Sequence, residues 1–373
     1  MKKKIGIITY HAAYNYGSAL QAYATQEIIK LLGYDAKIIN YRMIEQKKYY
    51  AIIRTKFGKK RFIEDISQLP LVKQKILRSK RFEEFFNDYY DLTYEFSNPD
   101  EIYEFENKFE VFISGSDQIW NKHSCELNWN EWKYMFPYLL KDIKKNKVSY
   151  ASSIGNMTDN EIATIKKYIE EFDSISMREY TSTKRLEKIL NKDIKTVLDP
   201  TFLLNKKQWI EDMKLNKDNR NPYILYYSLG NIKDNFLKLS KMLKLAKARH
   251  LELHVITPYF YIPILSKNIS NYLEYGPKEF LNELYNAELV VTDSYHGSIL
   301  SVNLGKEVYL ICEGKPSDFR KIDIFNRLGL EKRILESIDE LMKNDFEPIN
   351  YQLVQEKIQF FRKKSIEYLE HNL

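Results

Sequence analysis

Lys3-Lys4-Ile5-Gly6-Ile7-Ile8-Thr9-Tyr10 gives an apolar run of strand length, and the residues behind it decide how that strand is used. From Gly17 to Leu32 the apolar positions recur at helical spacing and stop at Gly33, after which Asp35 to Tyr41 reads as a second strand. Strand, helix and strand in that order form a βαβ unit, which nearly always closes as a right-handed parallel crossover. The alternation continues. Phe109 to Ile113, Lys147 to Ser152, Ser174 to Met177 and Lys195 to Leu198 read as further strands with helical sequence behind them, until Asp199-Pro200 breaks the series. A second series follows the polar stretch Asn216-Lys217-Asp218-Asn219-Arg220-Asn221-Pro222. Its strands are Tyr223 to Ser228, Glu252 to Thr257, Leu289 to Thr292 and Glu307 to Cys312, with helices at Lys233 to Ala248, Pro277 to Ala287 and His296 to Leu304. Tyr351 to His371 closes the chain as an amphipathic helix.

At 373 residues the chain is too long for one comfortable core. The expected architecture is α/β with two Rossmann-like domains, 1–215 and 216–350, and a terminal helix at 351–373. Such a pair resembles the glycosyltransferase-B architecture, whose active site is the cleft between domains. No apolar run approaches the ~20 residues that span a bilayer. The basic-then-apolar start resembles a signal peptide, but its apolar part is short and no small-residue cleavage site follows, so it reads as the first strand of a cytoplasmic protein. Cys125 and Cys312 lie far apart and suggest neither a disulfide framework nor a cysteine metal site. The net charge of +7 is uneven: residues 42–81 hold thirteen Lys or Arg against three acidic residues. This stretch lies in a lysine- and aromatic-rich helical insertion at about 44–95. Cations interleaved with aromatic and apolar residues suit an anionic membrane surface, at ~1 kcal/mol per cation, and imply a peripheral protein of the inner face. A solvated helical face is the plainer reading. No nucleic-acid reading motif accompanies the patch, so nucleic acid is not an expected partner.

Three loops carry the chemistry. Thr292-Asp293-Ser294-Tyr295-His296-Gly297-Ser298-Ile299-Leu300-Ser301 runs from a strand end into a helix start, where open α/β sheets bind ligands and backbone N–H groups attract anions. Tyr10-His11-Ala12-Ala13-Tyr14-Asn15-Tyr16-Gly17-Ser18 lacks both glycine-rich nucleotide motifs. Its His11, Tyr14, Asn15 and Tyr16 instead offer the amide, hydroxyl and aromatic faces that hold a sugar, against a simple helix-capping role for Asn15 or Tyr16. Ser114-Gly115-Ser116-Asp117-Gln118-Ile119-Trp120-Asn121 offers Asp117 and Gln118 to vicinal hydroxyls, with Asp117 a candidate base, against capping by Ser116 or Asp117. Arg178, at a strand end, suits a carboxylate or phosphate, unless it is salt-bridged to Glu179 or Glu171. His250-x-Glu252-x-His254 alternates as a strand does and lacks the order of a zinc helix, so no metal site is assigned.

Five ordered motifs, Tyr14 to Ala22, Ser114 to Asn121, Ser176-Met177-Arg178-Glu179, Val197-Leu198-Asp199-Pro200-Thr201 and Asp293 to Gly297, together resemble the polysaccharide pyruvyl transferase family. The resemblance implies transfer of a pyruvyl group from phosphoenolpyruvate, as co-substrate and without a cofactor, to a sugar of a surface glycan or its lipid-linked precursor. It carries over Arg178 as a donor-binding cation and His296 as the catalytic histidine. Members similar to this chain hold an arginine two residues before the histidine, where Ser294 stands here. Donor binding then falls to Arg178, to Ser294, His296, Gly297 and Ser298 at the helix start, and to Lys315, Arg320 or Lys321. A nucleotide-sugar glycosyltransferase and a non-catalytic glycan-binding protein are the rival readings.

Overall fold

The computed structural model describes residues 2–52, 69–125, 127, 131–230, 232–257, 269–343 and 347–373. The chain divides into two compact units. The first holds described residues 2–52, Glu84–Leu204 and Ile358–Leu373; the second holds 69–83 and Asn205–Lys357.

In the first unit, β1 (Lys4–Ile8), α1 (Tyr16–Leu31) and β2 (Asp35–Ile38) form the βαβ unit that the periodicity predicts, with Ile5 opposite Ala36 in parallel register. α2 (Ile44–Tyr49) follows, residues 53–68 of the expected insertion lie outside the described part, and α3 (Val72–Tyr89) is counted with the second unit up to Glu83 and with the first from Glu84. The chain then returns through β3 (Val111–Ser114), β4 (Asn146–Ser149), α4 (Asp159–Ile169), β5 (Ser176–Met177), α5 (Tyr180–Leu190) and β6 (Lys195–Thr196). The main sheet is parallel in the order β2-β1-β3-β4, and bridges Val148↔Ser174 and Ser152↔Met177 set the β5–β6 pair beside β4. β1 and β3 are buried throughout apart from Lys4, as strands covered on both faces must be. Ile8, Phe112, Trp120 and Ile165 belong to the core of this unit.

The second unit begins with α6 (Lys206–Met213) and runs through β7 (Tyr223–Tyr227), α7 (Ile232–Ala248), β8 (Glu252–Ile256), β9 (Ile269–Asn271), α8 (Pro277–Asn286), β10 (Leu289–Thr292), α9 (Tyr295–Asn303), β11 (Glu307–Ile311), α10 (Phe319–Leu328), β12 (Ile334–Leu335), α11 (Ile338–Lys343) and α12 (Tyr351–Asn372). Its six strands are parallel in the order β12-β11-β10-β7-β8-β9. The short β9 and β12 carry too few apolar residues to show as strands in the sequence. The polar stretch 216–222 falls inside this unit, so the compact division comes at Leu204 and not near 215. The terminal helix is not a separate body either: from Ile358 onward α12 belongs to the first unit. Among the described residues no helix is long and apolar enough to cross a membrane.

Candidate functional site

Strand order reverses once in each main sheet, between β1 and β3 in the first and between β7 and β10 in the second. Crevices outside the carboxyl ends of strands at such reversals are where open α/β sheets take ligands. The sequence-predicted residues gather there, each group within its own unit.

In the first unit, the loops after β1 and β3 are tied together through α1. Gln21 Nε2 donates to Thr9 Oγ1 at 2.8 Å, Thr9 Oγ1 donates to the Ser116 carbonyl at 3.0 Å, and Ser116 N–H donates to Gln21 Oε1 at 3.2 Å. Gly115, at φ +132°, is obligatory there, since a Cβ would lie 1.9 Å from the Tyr150 carbonyl oxygen. Asp117 follows with φ +77°, a conformation seldom held by a residue with a side chain. Its carboxylate is fixed on three sides: Ser18 Oγ donates at 2.6 Å, Gln118 N–H at 2.8 Å and the Arg178 guanidinium at 3.3 Å.

Arg178 has a side chain with no solvent exposure and makes three carboxylate contacts: Glu179 at 2.9 Å, Asp199 at 3.1 Å and Asp117 at 3.3 Å. One guanidinium among three carboxylates leaves a net negative cluster when all are ionised, which repels an anionic donor. The salt-bridge reading therefore holds for Glu179, while Glu171 pairs with Lys147 instead. Asp199 is the member that the sequence reading missed as a site residue: Asp199-Pro200 reads as a breaker, yet its carboxylate also accepts from Thr201 N–H at 3.0 Å and Oγ1 at 2.8 Å.

The expected sugar-facing group is mostly enclosed. His11 is 1% exposed and bonds through Nε2 to Asn40 Oδ1 at 2.9 Å and through Nδ1 to the Thr9 carbonyl at 3.2 Å. Tyr16 is 1% exposed. Asn15 caps α1, its Oδ1 accepting from Gly17 N–H at 2.9 Å. Half-buried Tyr14 packs its ring 5.2 Å from that of Tyr50, and Gln118 accepts from Asn121 at 2.8 Å.

In the second unit, Ser294 caps α9 by accepting from Gly297 N–H at 3.2 Å, which places His296 second in the helix. Asp293 ties the ends of the two central strands, accepting from Ser228 Oγ at 2.8 Å and Leu229 N–H at 2.7 Å. Gly297 lets α9 press on Tyr227: a Cβ would meet its ring at 2.6 Å. His296 is 8% exposed, with its ring edge-on to Tyr295 at 5.1 Å. Ser298, fully buried, donates to the Tyr295 carbonyl at 2.8 Å. Lys321 reaches back from α10 to the Asp293 carbonyl at 3.0 Å and pairs with Asp318 at 2.6 Å, so it pins the strand end. Lys315 is held at 3.0 Å by Glu313, whose carboxylate raises its pKa. Arg320 sits in the first turn of α10, beside Lys321.

His254, on β8, is buried against Glu283 at 3.1 Å and stacked on Tyr223 at 3.7 Å, while Arg220 reaches the same carboxylate at 2.6 Å.

Two Rossmann-like units in one chain, each with a parallel sheet and polar loops at its strand-order reversal, are the build of the glycosyltransferase-B class. The UDP-GlcNAc 2-epimerase of Methanocaldococcus jannaschii, solved with UDP-GlcNAc and UDP, superposes with TM-score 0.53 at 13% identity over 97% of this chain and 100% of its own. Arabidopsis thaliana UGT89C1 complexed with UDP-L-rhamnose gives 0.51 at 12% over 98% and 94%. The Thermobaculum terrenum O-GlcNAc transferase gives 0.49 at 8% over 98% of this chain, which spans 64% of that protein's length. At identities this low, the likeness to the epimerase and to UGT89C1 shows the fold alone. A search of curated proteins by sequence finds no match. The sequence profile for polysaccharide pyruvyl transferase matches residues 15–311, and the chain belongs to that family.

Proposed function

We propose that the protein transfers the enolpyruvyl group of phosphoenolpyruvate to a sugar of a bacterial-type surface polysaccharide, or of its lipid-linked precursor, forming a pyruvate ketal. The observation that carries this reading is the family match over residues 15–311, which takes in the Asp117 loop and the His296 helix start. In the reaction, a proton adds to the methylene carbon and makes the phosphate-bearing carbon electrophilic. A sugar hydroxyl oxygen bonds to that carbon, the C–O bond to phosphate breaks, and a second hydroxyl closes the ketal. One phosphoenolpyruvate and one diol give one ketal and one inorganic phosphate, with no change of oxidation state and no cofactor.

His296 is the proposed acid or base, because an imidazole can both give and take a proton at a bound group. Asp117 is the proposed acceptor-side base, with Gln118 and Tyr14 beside the acceptor. The carboxylates around Arg178 change its proposed role: it positions Asp117. The donor anion is assigned to the first turn of α9, whose leading N–H groups have no acceptor within the helix, and to Arg320. A cytoplasmic location at the inner membrane face completes the proposal, with the exposed face of α3 toward anionic lipid.

Thermal stabilisation of wild type, Arg178→Ala and His296→Ala by phosphoenolpyruvate, with UDP, CMP and GDP for comparison, tests the reading. A ligand at 100 times its Kd adds about 2.7 kcal/mol. Stabilisation by phosphoenolpyruvate alone supports pyruvyl transfer. A response confined to UDP, the ligand of the epimerase that shares the fold, moves the reading to a nucleotide-sugar glycosyltransferase. Silence throughout moves it to glycan binding without catalysis, with Ser294 marking a lost donor site.

A further inference from the structure

Three lysines meet at the edge of the second sheet where its strands begin, the opposite edge from His296. Lys217 Nζ donates to the Tyr285 carbonyl at 3.2 Å and Lys306 Nζ donates to the same oxygen at 3.3 Å. Sharing one acceptor holds the two ammonium groups within about two hydrogen-bond lengths of each other. Lys206, the first residue of α6, brings its Nζ to 3.5 Å from where Gly305, the neighbour of Lys306, would carry a Cβ. Lys217 also lies 4.6 Å from the centre of the Tyr285 ring.

These lysines do more than a helix end requires. Tyr285 lies in the last turn of α8, and one lysine suffices to cap a terminal carbonyl. A second and a third in the same place repel the first. Among the described residues none of the three is ion-paired, and Glu288 is the one acid whose charge is felt at Lys306. Burial, together with the charges of Lys217 and Lys206, outweighs Glu288 and pushes the Lys306 amine down to about 8. Burial and Lys217 lower Lys206 as well. Perturbation of this kind, on convergent groups, is a mark of ligand sites.

We propose that Lys206, Lys217 and Lys306 form a second anion site, remote from His296, that takes a compact phosphate-class oxyanion. Convergent ammonium donors match a tetrahedral, multiply charged group better than a singly charged carboxylate, and the bound anion relieves the repulsion among them. Proton uptake follows. An anion favours the charged form of Lys306, so binding near pH 8 draws a proton from the buffer.

Calorimetric titration of the full chain with inorganic pyrophosphate at low ionic strength tests the site. The wild type binds, and heats compared between two buffers of different ionisation enthalpy show proton uptake at pH 8. Lys217→Met/Lys306→Met weakens binding by about tenfold or more, the worth of a lost charge-assisted hydrogen bond. Lys207→Met, a change at an exposed neighbouring lysine, leaves it intact. Lys206→Gln gives the same direction of loss if the double variant does not fold. Vesicles containing phosphatidate separate the sources. Binding to pyrophosphate without lipid assigns a soluble anion; binding to phosphatidate vesicles alone, lost in the same variants, assigns a headgroup. Unchanged affinity in the lysine variants, or no binding in either arm, overturns the site. The outcome is independent of the pyruvyl reading, which stands or falls on the response to phosphoenolpyruvate.

Discussion

His296 and Arg178 illustrate how the same residue-level reading can lead to opposite places. The histidine sits at a helix start beyond a strand end, where proton transfer to a bound group is feasible. His296→Asn should lower transfer by about 10²- to 10⁴-fold, the usual worth of a general acid or base. The melting midpoint of the unliganded variant should stay within about 2 °C, and an equal fall in stability would reduce the residue to packing. Arg178 is different, because its neighbours are carboxylates. Arg178→Met removes the guanidinium that Asp117, Glu179 and Asp199 share, and breaking a buried pair in this way costs about 3–5 kcal/mol. Chemical denaturation measures that cost. A fully stable variant that loses only phosphoenolpyruvate binding would restore the direct donor role. Glu283 supplies a pH test: burial pushes its carboxyl up, but hydrogen bonds from His254 and Arg220 more than offset this and hold it below 4.5. A depressed carboxyl stabilises the fold above its unfolded value and loses that contribution as pH falls through the folded one. Stability measured downward from about pH 4.5 should therefore fall more steeply for wild type than for Glu283→Gln.

At the scale of elements, the strands and helices around both candidate loops were legible because they are long and strongly patterned. β1, α1, β7, β10 and α9 follow the apolar runs within a residue or two. β9 and β12 were not, since three- and two-residue strands gain their pairing from neighbours and carry no periodicity of their own. The site was legible as loops but not as contacts. Nothing local marks His11 as bonded to Asn40, or Asp199 as a partner of Arg178, because the first pair meets only when β1 lies beside β2 and the second only when β5 lies beside β6. α3 has a face that invites its own experiment. Leu69, in the short turn leading into it, and Ile76 are each 50% exposed, and Leu77 is 38% exposed. With Lys73 and Lys80, also exposed, they recur at helical spacing along one side. Sedimentation with phosphatidylglycerol vesicles should capture the protein, and phosphatidylcholine vesicles should not. Lys73→Gln/Lys80→Gln should weaken capture by about 2 kcal/mol, roughly thirtyfold. Capture that ignores both lipid charge and these lysines would dismiss α3 as a membrane contact.

At the scale of the whole molecule, the chain ends in the unit with which it began. Composition and periodicity predict α12 as an amphipathic helix, but amphipathicity says only that one face is covered and not by what. The partner emerges from contacts separated by well over a hundred residues. Ser365 Oγ accepts from Leu198 N–H at 2.9 Å, Arg362 Nε donates to the Phe202 carbonyl at 2.6 Å, and Tyr368 donates to the Ser149 carbonyl at 2.9 Å. Lys3 donates to the carbonyl of Leu373, joining the two ends of the described chain. Ile358 and Leu369 are fully buried. Burial of two such side chains contributes about 3–6 kcal/mol, before the orphaned Leu198 N–H is counted. Deleting residues 358–373 should therefore destabilise the opening half of the sequence and spare the half that precedes the cut. Hydrogen exchange can read this directly: amides of β4 and residues 195–198 should lose protection, while those of β7 and β10 should keep theirs. Uniform loss across both sheets would mean that the two units unfold as one cooperative body. Unchanged protection would mean that α12 adds little to the fold of the first unit.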